Sequence, residues 1–151
     1  MLIFIKGQSP LLTSGKDNWE TPDALFQPLH QTYQFVLDAA ADGTNHKVPR
    51  WYGPGGEAPN ALTVSWPLDE GHVWLNPPYS VGLQAKFVRK AQWEAKGKPY
   101  SVVCLLPART DTKLFHEVIL VHAKSVQFLR GRVKFKGGAS CAPFPSLIVV
   151  F

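Results

Sequence analysis

The segment Asn76-Pro77-Pro78-Tyr79, which directly follows the apolar run Val73-Trp74-Leu75, restricts the fold of this chain more than any other feature. Two consecutive prolines remove two backbone N–H donors and fix φ at about −65°, so the segment can neither continue a strand pairing nor run through a helix. It therefore predicts an extended loop at the carboxyl end of a strand. In such a loop the Asn76 amide and the carbonyl groups around Pro77 would face outward, with the Tyr79 ring beside them.

This predicted loop has a functional and a structural interpretation. Hydrogen-bond acceptors beside a flat ring suit a planar ligand that carries an NH₂ group, such as an adenine rotated out of its helix. The position supports this interpretation, because α/β sheets bind ligands beyond the carboxyl ends of their strands. Asn-Pro and Pro-Pro also mark ordinary turns, and the tyrosine after a turn often only packs.

The chain has 151 residues, of which 45% are hydrophobic and 18% charged, as in an ordinary globular protein. We predict an irregular segment over residues 1–18 and a single domain over residues 19–151. No stretch of about 20 apolar residues indicates a membrane span. Cys104 and Cys141 form no CxxC pair, which favours a reducing intracellular compartment, and we expect no metal site.

The charge distribution differs between the two halves of the chain. Residues 1–79 hold 4 Lys/Arg and 8 Asp/Glu, whereas residues 80–151 hold 12 Lys/Arg and only 3 Asp/Glu. The basic half points to a polyanionic partner, because cations near phosphates gain affinity through counterion release. The alternative is that the two halves interleave in space, in which case the asymmetry means little.

Hydrophobic periodicity predicts alternating strands and helices. Strands are expected at 35–37, 73–75, 101–106, 125–129 and 146–151, and helices at 22–30, 81–95 and 113–122. Thr21 is expected to cap the first helix, with Pro22 at its first position. The pattern predicts an α/β fold with a mainly parallel sheet, helices on both faces and an antiparallel strand pair near the C-terminus, where Val133-Lys134-Phe135 alternates.

Three other segments offer groups to a small ligand. Asp38 follows a buried strand and precedes three alanines, among them Ala39 and Ala40, a pattern that lets backbone approach a nucleoside cofactor. The alternative role for Asp38 is capping of the next turn. Asn60 could offer its side chain to a cofactor ring, or serve only as a turn residue. Trp19, together with Thr21 and Pro22, could contribute hydroxyl and backbone groups to the same cofactor.

Basic and polar residues of the second half are candidates for contacts with a polyanion. Arg109 and Thr110 follow the strongest predicted strand at its carboxyl end. A basic cluster lies around a glycine turn and could also contact a polyanion. The alternative interpretation is a hairpin whose charges only face solvent. The members of the cluster are Lys124, Arg130, Arg132, Lys134 and Lys136.

Together these segments resemble the phage-type DNA adenine methyltransferase family, in the family's order and over roughly residues 18 to 151. The Asn-Pro-Pro-Tyr box is shared with other amino-group methyltransferases, and its combination with the Pro-Ala-Arg-Thr-Asp-Thr loop is more specific. The matching stretches are Trp19-Glu20-Thr21-Pro22, Leu37-Asp38-Ala39-Ala40-Ala41, Asn60-Ala61-Leu62 with Trp66, Trp74-Leu75-Asn76-Pro77-Pro78-Tyr79-Ser80, Leu106-Pro107-Ala108-Arg109-Thr110-Asp111-Thr112 and Gly131-Arg132-Val133-Lys134-Phe135.

The resemblance implies a Rossmann-like fold and the transfer of a methyl group from S-adenosylmethionine to the N6 amine of adenine in double-stranded DNA. It also implies the cytoplasm of a bacterial host cell, no metal and no covalent enzyme intermediate. The catalytic residues would be Asn76, Pro77, Pro78 and Tyr79, with Tyr79 stacked on the flipped base. The cofactor residues would be Trp19, Thr21, Pro22, Asp38, Ala39, Ala40, Asn60 and Asn76, and the DNA-binding residues Arg109, Thr110, Lys124, Arg130, Arg132 and Lys134.

The chain departs from the broader class in three respects. The glycines of the cofactor loop are replaced by alanines and Asp42, and no single residue stands out as the acidic ligand of the ribose, for which Asp42 and Glu57 are the two candidates. The chain is also short for a separate target-recognition domain, so short loops, the Arg109 segment or a second subunit would choose the DNA sequence.

Methylation of RNA or of a protein glutamine, and a catalytically idle nucleic-acid-binding relative, are alternatives. The sequence does not decide between monomer and homodimer.

Overall fold

The computed structural model describes residues 19–80, 82–138 and 140–151, so the predicted irregular segment 1–18 lies outside the described residues. Helices and strands alternate along the chain, as the sequence predicts. In order they are α1 (Asp23–Tyr33), β1 (Phe35–Asp38), a 3₁₀ turn (Ala61–Thr63), β2 (His72–Leu75), α2 (Leu83–Ala95), β3 (Val102–Pro107), a π-helical segment (Leu114–Ile119) continuing as α3 (Leu120–His122), β4 (Ser125–Phe128) and β5 (Ser146–Val150).

The five strands form one mixed sheet in the order β1-β2-β3-β5-β4. The β1–β2 and β2–β3 pairs are parallel, whereas β5 runs antiparallel to both of its neighbours, β3 and β4. The α/β class and the antiparallel C-terminal pair are confirmed. The prediction of a mainly parallel sheet is wrong, because β5 inserts between β3 and β4. The sequence of a fully buried apolar strand such as β5 does not indicate whether the neighbouring strands run parallel or antiparallel to it.

Side chains alternate along the central strands and supply two cores, one on each face of the sheet. Val73 and Leu75 point into the core that contains α2 and the π-helical segment, and Trp74 between them points into the core that contains α1. Helices therefore cover both faces, as predicted. The parallel pairing of β1 with β2 brings their carboxyl ends side by side.

Several local predictions need correction. Pro22, with φ −67° and ψ 144°, occupies the N-cap position of α1, so Thr21 is not the cap and Pro22 is not the first helical residue. The helix continues past His30 to Tyr33. Residues 133–135 form no strand, and the Phe135 ring is buried in the α1-side core instead.

Among the residues that the structure describes, no helix has both the length and the apolar character needed to cross a membrane. The same residues contain no group of three or more His, Cys, Asp or Glu side chains that could hold a metal ion.

Candidate active site

A cavity of about 400 Å³ lies beyond the carboxyl ends of β1 and β2. Its volume falls in the range of about 300–1,000 Å³ that is usual for small-molecule and cofactor sites. It is lined by Trp19, Ala39, Ala40, Ala41, Asp42, Asn45, Tyr52, Gly53, Pro54, Pro59, Asn60, Ala61, Leu62, Asn76, Pro78, Leu83 and Phe87. Five of the eight predicted cofactor residues are in this set, namely Trp19, Ala39, Ala40, Asn60 and Asn76.

The loop after β1 forms one wall of the cavity, and Asp38 holds this loop in shape. The Asp38 carboxylate accepts hydrogen bonds from the backbone N–H of Ala40 at 3.3 Å and of Lys47 at 3.0 Å. Asp38 itself faces a cleft of about 20 Å³, and Trp19, Ala40 and Asn76 help to line both this cleft and the larger cavity. Asp38 therefore both caps the turn after β1 and lies beside the candidate site.

Burial raises the pKa of the Asp38 carboxyl group from 3.8 to about 6, and the two backbone hydrogen bonds oppose this shift. Between these pH values the folded protein holds a proton that the unfolded chain has lost. The free energy of unfolding contributed by Asp38 therefore falls as pH rises from 3.8 to about 6. A costly buried carboxyl group beside a cavity is typical of a functional site.

The Asn76 side chain is fixed in orientation by the segment that precedes α1. Its Nδ2 atom donates to the carbonyl oxygen of Trp19 and, at 3.1 Å, to the hydroxyl of Thr21. Thr21 is 1% exposed, so its hydroxyl serves Asn76 rather than the helix N-terminus. The other end of the amide, Oδ1, is buried and has no hydrogen-bond partner within the described part of the chain.

Tyr79 is not at the rim of the sheet, which corrects the expectation of an exposed aromatic face. Its side chain is 2% exposed, and its hydroxyl donates to the carbonyl oxygen of Leu105 at 3.2 Å. The ring packs between Trp19, Phe135 and Phe144, with centroid distances of 6.3, 6.1 and 5.5 Å. We call these four residues the aromatic cluster. In this conformation it leaves no face of Tyr79 available to a base.

The two prolines of the motif have different surroundings. Pro78 lines the cavity, whereas Pro77 is buried outside it. Pro22 is also absent from the cavity wall, and its carbonyl oxygen accepts the first backbone bonds of α1, from Leu25 and Phe26, both at 3.1 Å. The structure thus assigns Pro22 a structural role in starting α1.

The segment 51–60 forms the opposite wall, and most of its contributions were missed by sequence reasoning. Gly53 has φ +139°, and a Cβ atom there would lie 1.8 Å from the carbonyl oxygen of Ala41. The two loops therefore meet backbone to backbone, and the N–H of Ala41 donates to the carbonyl of Tyr52 at 3.0 Å. Clustered Gly and Pro residues are the only sequence signal for this contact, and they also fit an ordinary loop.

The structure separates the two candidates for an acidic ribose ligand. Asp42 lines the cavity, where its Oδ1 accepts hydrogen bonds from the N–H and hydroxyl of Thr44, both at 2.7 Å. Glu57 is not part of the wall and pairs with the guanidinium of Arg50. Asn60 also lines the cavity, and its Oδ1 caps the 3₁₀ turn by accepting from the N–H of Leu62 at 3.0 Å.

The predicted basic residues divide between two edges of the sheet. Arg130, Arg132 and Lys134 are exposed and follow the carboxyl end of β4, at the same edge as the cavity. Lys124 precedes β4, and its ammonium donates to the hydroxyl of Ser101, which precedes β3. The predicted grouping of Lys124 with the other three is therefore wrong, because β4 separates them.

Arg109 and Thr110 lie at the cavity edge of the sheet, in the loop after β3. Arg109 borders a second, smaller cavity of about 220 Å³ between this loop and the start of α2, and Tyr79 also lines it. The loop is held in shape by its own contacts. The Thr112 hydroxyl donates to the carbonyl of Arg109 at 3.0 Å, and a ring nitrogen of His116 lies 2.7 Å from the carbonyl of Thr110.

Ion pairs fasten the segment 19–23, which carries Trp19 and Thr21. Lys136 contacts Glu20 at 3.3 Å and Asp23 at 3.1 Å, and Lys47 contacts the same two carboxylates at 3.9 and 3.1 Å. The backbone N–H of Lys136 also donates to the carbonyl of Glu20 at 3.0 Å. Hydrogen bonds from Lys136 and Lys47 hold the pKa of the Asp23 carboxyl group below its usual value.

An α/β sheet with a ligand-sized cavity beyond two parallel strands, and an oriented amide beside that cavity, is the arrangement typical of α/β proteins that bind small ligands. Residues 8–144 match the model of the DNA N-6-adenine-methyltransferase (Dam) family, so the chain belongs to this family. It is similar to a DNA N-6-adenine-methyltransferase of Haemophilus phage HP1 (strain HP1c1), with 33% identity over 125 residues, 81% of this chain and 68% of the relative. A second similar protein, the DNA N-6-adenine-methyltransferase of Escherichia phage T1, is 36% identical over 105 residues, which cover 68% of this chain and 40% of that relative.

Proposed function

We propose that this member of a DNA N6-adenine methyltransferase family transfers the methyl group of S-adenosylmethionine to the N6 amine of an adenine rotated out of double-stranded DNA. The reaction would take place in the cytoplasm of a bacterial host. The parallel strands β1, β2 and β3, with the cavity beyond the carboxyl ends of β1 and β2, support a Rossmann-like arrangement of the cofactor site.

The observation that carries the proposal is the state of the Asn76 amide. Its donor end is engaged by Trp19 and Thr21, which leaves Oδ1 as a buried acceptor with no donor among the described side chains and backbone groups. An acceptor left in this state costs about 1–3 kcal/mol. Such a cost is explained when a ligand supplies the missing donor, and an exocyclic amine does so.

The cavity fits the cofactor in size and in the chemistry of its walls. In our proposal Asn60 lies near its adenine, and the Oδ1 cap leaves the Asn60 Nδ2 atom as the group that donates to a ring nitrogen. Ala39 and Ala40 let the backbone approach, and Asp38 lies near the methionine portion. Trp19 and Asn76 close the end of the cavity where the methyl group would be transferred.

The bound cofactor supplies an electrophilic methyl group on a sulfonium. Asn76 Oδ1 and the Pro77 carbonyl accept the two hydrogens of the adenine amine, which turns the nitrogen lone pair away from the ring and towards the methyl group. In the transfer the C–N bond would form as the C–S bond breaks with its electron pair left on sulfur, and the methylated amine would release one proton to water. The protein contributes by positioning and by electrostatic stabilisation.

Stacking of the flipped base on Tyr79 requires the aromatic cluster to open. Trp19 is the most exposed of its four rings, and the segment that carries it is fastened to Lys136, near the basic residues Arg132 and Lys134. We propose that the Trp19 ring turns away when DNA binds at this edge of the sheet, while its backbone carbonyl stays bound to Asn76. Arg109, Thr110, Arg130, Arg132 and Lys134 would then contact the phosphates. Lys124, at the opposite edge, has no part in these contacts.

Incubation with methyl-labelled S-adenosylmethionine tests the proposal. Separate reactions would contain unmethylated duplex DNA, RNA or protein, and digestion followed by mass spectrometry would locate the label. We expect label on N6 of adenine in the DNA. Label confined to RNA or to protein glutamine would replace the proposed substrate, and no label on any of the three would reject the activity.

The two candidates for the ribose ligand, Asp42 and Glu57, provide a matched pair of variants. Asp42→Asn should weaken S-adenosylmethionine binding about 10-fold, because a charge-assisted hydrogen bond contributes about 1.5–3 kcal/mol and the amide retains part of it. Glu57→Gln should leave the affinity unchanged, since Glu57 pairs with Arg50 outside the cavity. Isothermal titration calorimetry measures both constants. Equal effects of the two substitutions would exclude Asp42 as the ribose ligand.

A further inference from the structure

The outward face of α2 carries a row of cations that the proposed active site does not use. Lys86, Arg89, Trp93 and Lys96 follow one another at spacings of three or four residues, so they share one face of the helix. All four are exposed, whereas Phe87, Val88, Ala91 and Ala95 on the other face are buried. Lys98 follows directly after the helix and is exposed too. We call Lys86, Arg89, Trp93, Lys96 and Lys98 the basic stripe.

The acidic residue of this stretch does not neutralise the stripe. Glu94 is 8% exposed, and its carboxylate accepts from the N–H of Trp66 at 3.1 Å and pairs with Lys90 at 2.6 Å. Within the described residues, the ion pairs include none of the four stripe cations Lys86, Arg89, Lys96 and Lys98. The positive charge of the stripe therefore faces solvent with no carboxylate partner in the part of the chain that the structure describes.

Trp93 adds an apolar contact to the stripe. Its side chain is 68% exposed, and the ammonium of Lys96 lies 6.0 Å from its ring centroid. Trp93, Lys96 and Lys98 also border a broad groove of about 780 Å³. A flat ring among cations suits a partner with both phosphates and sugar or base surfaces.

We propose that the basic stripe binds a segment of duplex DNA that flanks the target adenine. This rests on the proposed function, and it adds a second DNA contact surface to the one at Arg109 and Arg130–Lys134. α2 spans about 20 Å, over which duplex DNA presents a dense row of phosphates. The helix begins at the candidate active site, since Leu83 and Phe87 line its cavity. From there its outward face runs to the opposite edge of the sheet, where Ala95 precedes the start of β3 at Val102, so Lys86 is the stripe cation nearest the place where DNA would be held.

The test compares the salt dependence of DNA binding between variants. Lys86→Gln, Arg89→Gln, Lys96→Gln and Lys98→Gln are combined in one variant, because glutamine preserves helix propensity. Lys124→Gln is the matched control, an exposed cation outside the stripe. Fluorescence anisotropy with a labelled duplex longer than the enzyme's footprint gives the slope of log Kobs against log salt concentration.

We expect the slope of the combined variant to decrease in magnitude by about 3–4, since each phosphate contact contributes about 0.9. Trp93→Ala should weaken binding several-fold without changing the slope, because it removes no charge. Methyl transfer at saturating DNA should stay unchanged in both. If the combined variant keeps the wild-type slope, the stripe is only a solvated face and the inference is wrong. The proposed function still stands in that case, provided that the wild-type enzyme methylates DNA. The inference would also be wrong if the combined variant lost binding to anionic lipid vesicles while its binding to DNA stayed intact.

Discussion

The substitution Asn76→Ala should lower the rate of methyl transfer by about 10²–10³-fold or more, the effect of removing one oriented polar group from a reaction centre. The loss should appear in kcat, since Oδ1 contacts the amine as its nitrogen rehybridises. S-adenosylmethionine affinity should change little, because the cavity has many other lining groups. Rapid-quench assays with labelled cofactor measure the rate, and calorimetry measures the affinity.

The free energy of unfolding of the Asn76→Ala variant should change far less than its rate of methyl transfer. The substitution leaves Trp19 O and Thr21 Oγ1 without the Asn76 donor, but it also removes the unpartnered acceptor Oδ1. Since these changes have opposite signs, we expect the free energy of unfolding to shift by no more than about 1 kcal/mol. Gln31→Ala, which removes an exposed amide on α1, should affect neither property. A large loss of stability together with a small loss of rate would mean that Asn76 is a structural residue.

Thr21 gives a graded version of the same test. Thr21→Val keeps the volume of this buried side chain and removes the hydroxyl that accepts from Asn76 Nδ2. The amide would then be less firmly oriented, so we expect a smaller loss of rate, about 10-fold. Thr21→Ser restores a hydroxyl and should recover most of the rate. Equal rates for the valine and serine variants would show that this hydrogen bond does not position Asn76.

The substitution Gly53→Ala should have the largest effect on stability. The added Cβ would lie 1.8 Å from the carbonyl oxygen of Ala41, and the φ of +139° is strained for any L side chain. Overpacking and backbone strain each cost about 1–3 kcal/mol, so we expect a loss of about 3 kcal/mol or more in the free energy of unfolding. Because Ala41 and Gly53 both line the cavity, cofactor affinity should fall at least about 10-fold.

Gly43→Ala is the matched control for Gly53→Ala. It lies in the same wall region, yet a Cβ atom at this position meets no heavy atom within 4 Å. Its stability and cofactor affinity should stay close to those of the wild type. Urea unfolding followed by circular dichroism compares the two variants. If Gly53→Ala unfolds at the same urea concentration as Gly43→Ala, the two loops do not meet as described.

Local sequence patterns were sufficient for the features that depend on neighbouring residues. The strands β1 to β3 end where apolar runs give way to Asp38, Asn76 and Pro107, and α2 ends at Ala95 as expected. The position of the cavity followed from the same logic, because the carboxyl ends of parallel neighbours share one edge of a sheet. Asn60 is far in sequence from both strands, and its residue type alone left open whether it contacts a cofactor or is only a turn residue.

Features that depend on distant residues could not be predicted in this way. The rings that bury Tyr79 come from Trp19, Phe135 and Phe144, and their approach is set by the whole α1-side core. The antiparallel insertion of β5 likewise depends on pairings between remote segments. The misplacement of Lys124 has a different cause, because the predicted strand over residues 125–129 already implied that Lys124 and Arg130 lie at opposite edges of the sheet.

A crystal structure with S-adenosylhomocysteine bound tests the central claim most directly, that the cavity beyond β1 and β2 is the methyl-donor site. We predict that the ligand lies in this cavity, with its adenine near Asn60 and its sulfur near Asn76. Ligand density in the smaller cavity beside Arg109, or a sulfur atom at the end of the cavity remote from Asn76, would contradict the account.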